Sequence, residues 1–381
     1  MTRKFRFIRA SVLSTLSVFA GLEASQAASV DELAVTLEQQ QRQIDALTTA
    51  LEQQPSSPFS NTSLGGYGEH HFSHSKKGDD VIDIHRYVLF ISHQYSDSIE
   101  FISEFEIEHG LVNDTADGSG VGEVEIEQAY IQWQINADQT LKIGQFLVPV
   151  GTINETHEPD TFYGVERNPV EAKIIPTTWW EAGVMNSGII ANGLSYDVAF
   201  QSGLSTTSTN IRSGRQKNAK ASAETWALTG RLKYTGIKGL EVASTLNWQQ
   251  DLSQGTATES AEASLLEIHA IYTSGSYSIK ALHAMWNVDG DIAEADGKDE
   301  QTGSYIEPQY KVTDKLGLFA RYSIWDNAAG NSDDTETTQY DIGLNYWLAD
   351  SVVLKADWQD QDKANSSSEK DGFNIGVGWS F

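Results

Sequence analysis

The sequence predicts an all-β transmembrane barrel: a 16-stranded antiparallel outer-membrane β-barrel preceded by a short N-terminal periplasmic coiled-coil helix. Three observations predict it. Segments of about ten residues carry alternating apolar positions, the length and period of tilted membrane strands. The gaps between those segments alternate between long and short. The chain ends in an aromatic residue, Phe381, on the apolar face of the last segment.

The first element is a targeting segment. Arg3, Lys4, Arg6 and Arg9 form a basic region, Ala10 to Leu22 form an apolar stretch, and Ser25-Gln26-Ala27 offers small residues at a cleavage site. The stretch is shorter than the roughly 20 apolar residues of a spanning helix, so residues 1–27 read as a cleaved signal peptide. Its removal leaves 22 Lys+Arg against 52 Asp+Glu, a net charge of about −30. So acidic a chain argues against nucleic acid as a partner. The chain has no Cys, which excludes disulfides and thiol chemistry.

Residues 28–54 follow a heptad. Val30, Leu33, Leu37, Gln40, Ile44, Leu47 and Leu51 recur in steps of three and four, a coiled-coil seam with Gln40 as its polar member. An amphipathic helix docked on the barrel is the simpler alternative. Residues 55–62, with Pro55 and Pro58, form a linker.

From residue 63 the period changes to two. Strands are expected near 63–72, 82–95, 99–110, 123–135, 140–148, 180–190, 194–202, 224–234, 239–249, 263–273, 276–286, 303–312, 316–325, 338–348, 352–360 and 371–381. In the last, Phe373, Ile375, Val377, Trp379 and Phe381 share one face and Asn374, Gly376, Gly378 and Ser380 the other. Tight gaps such as Ser96-Asp97-Ser98 and Asn192-Gly193 follow even-numbered strands, whereas polar, acidic gaps follow odd-numbered ones. That asymmetry separates periplasmic turns from extracellular loops, and a soluble sandwich has no reason to show it. An even strand number returns both chain ends to the periplasm. Terminal Phe381 behind Trp379 looks like the assembly signal of outer-membrane barrels, with the assembly machinery as the expected partner.

The third long loop, about 149–179, is far longer than a hairpin needs, and loops of this length are usually functional. Asn154, Glu155, His157, Glu158, Asp160, Arg167, Glu171 and Lys173 are its candidate pore-constriction residues. Folded inward, such a loop sets the bore of a barrel too wide for side chains to fill. Packed over the mouth, it would be an ordinary external loop.

The stretches GYGEHHFSH, DIHRYVLFISHQYSDSIEFISEFEIEH, GEVEIEQAYIQW, GQFLVPVGTINETHEPDTFYGVERNPVE and IIPTTWWEAG resemble those of the phosphate-selective porins O and P, specifically over about 64–190. The resemblance implies a trimeric 16-stranded pore with an inward third loop. Phosphate selectivity in that family depends on a dense ladder of lumenal Arg and Lys. This chain instead carries few basic residues against a large acidic excess, so it is the architecture that carries over.

Face parity assigns Glu104, Glu106, Glu108, Glu123, Glu125, Glu127, Arg231, Lys233, Lys280, Arg321 and Lys355 to the lumen, with Glu241, Asp341 and Asp357 among them. Six carboxylates on adjacent strands need cations, protons or donors. They either face basic residues across the pore or anchor the third loop through Arg167, Lys173 and backbone amides. His70, His71 and His74 read as solvated or lumenal rather than metal-binding. Asn287, Asp289 and Asp291 begin like a calcium loop, but Ile292 and Lys298 occupy its required Gly and Glu positions. No nucleophile elbow accompanies the Ser, His and Asp residues.

The expectation is therefore a pore for passive diffusion of small hydrophilic solutes and ions, with no cofactor, no metal and no reaction. It would form a homotrimer among outer-membrane lipid and lipopolysaccharide in a Gram-negative envelope. An anion- or phosphate-selective pore, or a plugged barrel acting as receptor or adhesin, are the alternatives.

Overall fold

A computed structural model describes residues 60–112, 122–206, 210–257, 259–364 and 370–381. The expected signal peptide, the coiled coil and the linker up to residue 59 lie outside the described residues. The strands are β1 (Thr62–Ser75), β2 (Val81–Ser96), β3 (Ile99–Glu108), β4 (Val124–Asn136), β5 (Gln139–Leu147), β6 (Trp180–Ala191), β7 (Leu194–Ser202) and β8 (Trp226–Tyr234). They continue as β9 (Leu240–Gln249), β10 (Ala263–Ser274), β11 (Tyr277–Val288), β12 (Glu300–Lys311), β13 (Leu316–Asp326), β14 (Thr337–Ala349), β15 (Val352–Lys363) and β16 (Gly372–Ser380). Each strand pairs antiparallel with its sequence neighbours, and β1 pairs with β16 to close the barrel. Closure satisfies every strand edge, which hydrocarbon demands because it offers no hydrogen-bonding partners. The last link joins Gly66 and Phe381, whose backbone groups exchange bonds of 3.0 and 2.8 Å.

All sixteen expected strands are present, and their ends move by no more than three residues. Gaps after even-numbered strands span two to five residues; those after odd-numbered strands span five to 32. The alternation of faces also holds. Leu228, Leu232, Leu246, Ile268, Ile342 and Ile375 are exposed on the outer wall. Tyr95, Trp133, Tyr234, Tyr272, Tyr310 and Tyr346 gather at the strand ends beside the short turns, forming an interfacial girdle. No helix among the described residues is long and apolar enough to cross a membrane.

Besides register shifts beside four of the short turns, two mid-strand β-bulges break the pattern that simple alternation gives. One lies where β1 pairs with β2, between Glu69 and His70, and leaves His85 without a cross-strand partner. The other lies where β3 pairs with β4, between Glu104 and Phe105, and leaves Glu127 unpaired. A bulge re-aims side chains and resets parity. As a result Glu127 and Gln128 both reach Glu104, whereas strict alternation keeps only one of them inside.

The core lies inside the barrel. Val148, Val150, Val170, Ile174, Ile175 and Trp179 of the third loop pack on Leu265, Leu282, Trp286, Tyr305 and Trp325 of β10–β13. Each fully buried large apolar side chain contributes roughly 1.5–3 kcal/mol. Lumen-facing glycines leave room for the loop. A Cβ on Gly303 would stand 2.8 Å from Ile174, and one on Gly378 would stand 2.4 Å from Pro159. Gly378→Val should therefore unseat the loop at a cost of about 1–3 kcal/mol of overpacking while leaving the strand ladder intact. Planar-bilayer recordings should show a larger, flickering conductance, with heat-modifiable gel mobility unchanged; an unaltered conductance would contradict this seating.

Candidate functional site: the inward third loop and its vestibule

The third loop, residues 148–179, leaves β5, crosses the lumen and returns to β6. Asn154 closes its base. The Asn154 amide donates to the carbonyls of Val148 (2.7 Å) and Trp179 (2.8 Å), and its oxygen accepts from the Trp179 amide (2.7 Å). Helix α1 (Pro169–Lys173) stiffens the return limb, with Asn168 as its cap and Pro169 in its first turn.

Glu171 knots the two limbs together. Its buried carboxylate accepts from the amides of Thr152 (2.7 Å) and Ile153 (2.8 Å), the Thr152 hydroxyl (2.6 Å), the Asn168 side chain (3.0 Å) and the Tyr305 hydroxyl of β12 (3.0 Å). A carboxylate can be buried at this depth only because so many donors face it.

The loop tip is tied around the wall. Glu155 pairs with Arg231, which also binds Asp197 at 2.7 Å. His157 Nε2 lies 3.3 Å from Glu127 and 3.5 Å from Glu104. Burial works against the charged imidazole, yet these two carboxylates prevail and hold its pKa well above the usual value. Ser380 donates to Asp160 (2.7 Å), the Val165 amide to Asp357 (2.6 Å), and Arg321 to the Tyr163 carbonyl (3.1 Å). Lys355 lies under the Phe162 ring, 3.6 Å from its centre. Glu166, half exposed to the cavity, bonds His71 at 3.0 Å; this partner outweighs its partial enclosure by the barrel and holds the carboxyl down to about 2.

These contacts revise the expected distribution of charge. Arg231, Arg321 and Lys355 do face inward, but they are buried beneath or against the third loop. Arg321 is further bound to Glu307 at 2.8 Å. They are anchors rather than a cationic wall facing open water. Glu104 and Glu127 also anchor the loop, through His157 and not through Arg167 or Lys173. Glu106 is buried beside Arg86 of β2, whose Nε binds Glu69 at 2.6 Å and lies 3.9 Å from Glu106. Glu123 falls just before β4, and Lys217 bridges it to Glu125. Glu108 closes this row of acids at the end of β3. Lys233 and Lys280 have lumenal parity but stand near the short turns, away from the loop. Glu158 lies on the loop, its carbonyl accepting from Thr161. His70 and His74 lie on the outer parity of β1, and only His71 of that trio faces inward.

Sequence reading missed the fourth loop. Within residues 210–220 the chain also turns inward, and Arg212 and Arg215 donate to the Thr177 and Thr178 carbonyls at the end of the third loop. Burial and the adjacent Arg215 push the Arg212 guanidinium down to about 10. A signal was available: residues 211–220 hold Arg212, Arg215, Lys217 and Lys220 and no acid, in a strongly acidic chain.

Above the third loop lies a cavity of about 910 Å³ on the side of the long loops. Arg167, Lys173, Lys298, Lys363 and Lys370 reach it, along with Asp79, Glu166, Asp326 and Asp371. The Arg167 Nη1 donates to Thr178 (2.7 Å), while its Nε and Nη2 have no hydrogen-bond partner. Partial enclosure within the barrel lowers the Lys173 pKa although its side chain is open to the cavity, and so do the neighbouring cations Lys370, Arg212 and Lys363. Among the described residues, Lys173, Lys363 and Lys370 form no ion pair.

A closed 16-stranded barrel with a long loop folded into its lumen defines an outer-membrane porin, a channel rather than an enzyme. The chain belongs to the phosphate-selective porin O and P family, whose model matches residues 73–377. An uncharacterized protein of Aquifex aeolicus is 26% identical over 356 residues, covering 84% of this chain and 80% of its own. Among solved structures, the anion-selective porin of Comamonas acidovorans aligns with a TM-score of 0.60 at 12% identity, over 84% of this chain and 99% of that one. The outer-membrane channel DcaP of Acinetobacter baumannii gives 0.58 at 14%, over 84% and 97%. The trimer form of Vibrio cholerae OmpT gives 0.55 at 14%, over 84% and 99%.

Glu171→Gln keeps the size of the side chain but turns a donor pair toward existing donors. Loss of its charged hydrogen bonds should cost about 1.5–3 kcal/mol for each bond broken. The variant's third loop should be cleaved by added protease under conditions that leave the parent intact. Equal resistance would show that the carboxylate is not what fastens the two limbs.

Proposed function

We propose that this porin passes small hydrophilic anions, oxyanions such as phosphate among them, more readily than cations. The observation that carries this reading is the vestibule. Arg167, Lys173, Lys363 and Lys370 reach one water-filled space without carboxylate partners among the described residues, whereas lumenal acids such as Glu69, Glu104, Glu127 and Glu307 are held by Arg86, His157 and Arg321. Unpaired cations crowded in a low-dielectric recess attract an anion and disfavour a cation. The family's description and the anion-selective porin that shares the fold support the same direction. The net acidic charge of the chain does not oppose it, because selectivity follows the charge exposed along the path and not the total.

In this reading the third loop is the constriction, with Asn154 and Glu171 fixing its shape and Arg167 and Lys173 facing the solute. Weak contacts at several cations, rather than one tight site, let the anion leave as readily as it enters. The assembly is a homotrimer in the outer membrane, supported by the trimeric form of a barrel of the same fold. Residues 1–27 would direct export, residues 28–54 would clamp the trimer as a periplasmic coiled coil, and Trp379 and Phe381 would engage the assembly machinery.

The test is the reversal potential of trimers in a planar bilayer under a potassium chloride gradient. It should have the sign of anion preference, and phosphate should reduce the chloride current. Lys173→Glu with Lys370→Glu should lower the anion-to-cation permeability ratio by roughly tenfold, the effect of about 1.4 kcal/mol. A cation-preferring parent would refute the proposal.

A further inference from the structure

On the rim of the barrel, beside His71, two imidazoles and one carboxylate gather that the channel reading does not use. His85 stacks on His71 with ring centres 4.4 Å apart, and meets His109 edge-on at 5.7 Å. His71 is already committed, with one nitrogen on Glu166 and the other on Glu69, each at 3.0 Å. The other side of His85 is different. Asp83 Oδ2 lies 3.2 Å from His85 Nδ1 and 2.8 Å from His109 Nδ1. A donor atom from each of these three residues falls within 4.8 Å of the others.

Backbone irregularities create this grouping. Asp83 and His85 are two apart on β2, and the bulge there frees His85 from cross-strand pairing. His109 follows β3 in the left-handed region, with φ of 55°, and its amide donates to the His85 carbonyl at 3.1 Å. Such outliers persist where surrounding structure determines them and cluster at functional positions. The three side chains are partly open, with 20% of Asp83, 23% of His85 and 35% of His109 exposed. An ion arriving from the long-loop side can reach them.

We propose that Asp83, His85 and His109 form a binding site for a divalent transition-metal ion of the zinc class. Two imidazoles and one carboxylate are a donor set suited to zinc. A tetrahedral ion with bonds of about 2.05 Å needs donors about 3.3 Å apart, close to the spacing around Asp83. Small movements of the His109 side chain complete the fit. The fourth coordination position is left to water or an anion. Because His85 stacks on His71, and His71 holds Glu166 of the third loop, metal at this rim lies one ring away from the loop tip.

The experiment uses the full chain, folded in detergent and dialysed against zinc chloride, then against buffer, with bound zinc measured per chain. The expected result is one zinc ion per chain, retained in excess magnesium, which prefers oxygen ligands. His109→Ala lies outside the strands and should preserve the heat-modifiable gel shift while weakening zinc binding at least about tenfold. His74→Ala, in an exposed pair with Asp80, should leave zinc binding unchanged. Absence of retained zinc, displacement by magnesium, unchanged binding in folded His109→Ala, or equal loss in His74→Ala would each overturn the assignment.

Discussion

A sixteen-strand barrel is too wide for its own side chains to fill, and this width governs the rest of the structure. Smaller barrels pack their interiors with side chains from the wall. Here the wall supplies only half of a core, and the third loop supplies the other half. Val170, Ile174 and Trp179 from the loop meet Leu265, Trp286 and Trp325 from the strands. Lumenal glycines at 303 and 378 are the recesses into which the loop fits. The loop is thus part of the fold, and the passage through the barrel is whatever the packed loop leaves open.

The same constraint sorts the charges. Near the loop, polar groups are shielded from water and must find partners. Arg231 and His157 pair with carboxylates across the contact between loop and wall, Arg321 holds Glu307 and the Tyr163 carbonyl of the loop, and Glu171 fastens the loop to itself. Charges on the upper surface of the loop are under no such obligation. Arg167 and Lys173 form no ion pair among the described residues and lie beside Lys363 and Lys370 at the vestibule; in the proposed function these are the charges that a solute meets.

The two bulges extend this logic to the wall near β1–β4. A regular ladder would point alternate residues inward and keep charged neighbours about two residues apart. Bulging at His85 and Glu127 brings extra functional groups inward, where they meet His71, His109 and the third loop. Local ladder bonds are surrendered for the placement of polar side chains.

The sequence by itself determined the barrel, its strand number, the sidedness of its loops and the faces of its strands. Those features repeat with a period of two and with alternating gap lengths, so each of the sixteen segments reports them independently. The inward third loop was legible from its length and from the family resemblance. Which of its residues bear on the passage was not, because that depends on contacts between positions more than a hundred residues apart, such as Glu171 with Tyr305 and Arg321 with Tyr163. Parity also cannot reveal that Lys355 is covered while Lys173 is open, since covering is a matter of three-dimensional packing. Nor can it foresee a bulge, because one extra residue resets the alternation without any change in composition. The pattern of burial among like-charged residues was decided only when the loop found its seat.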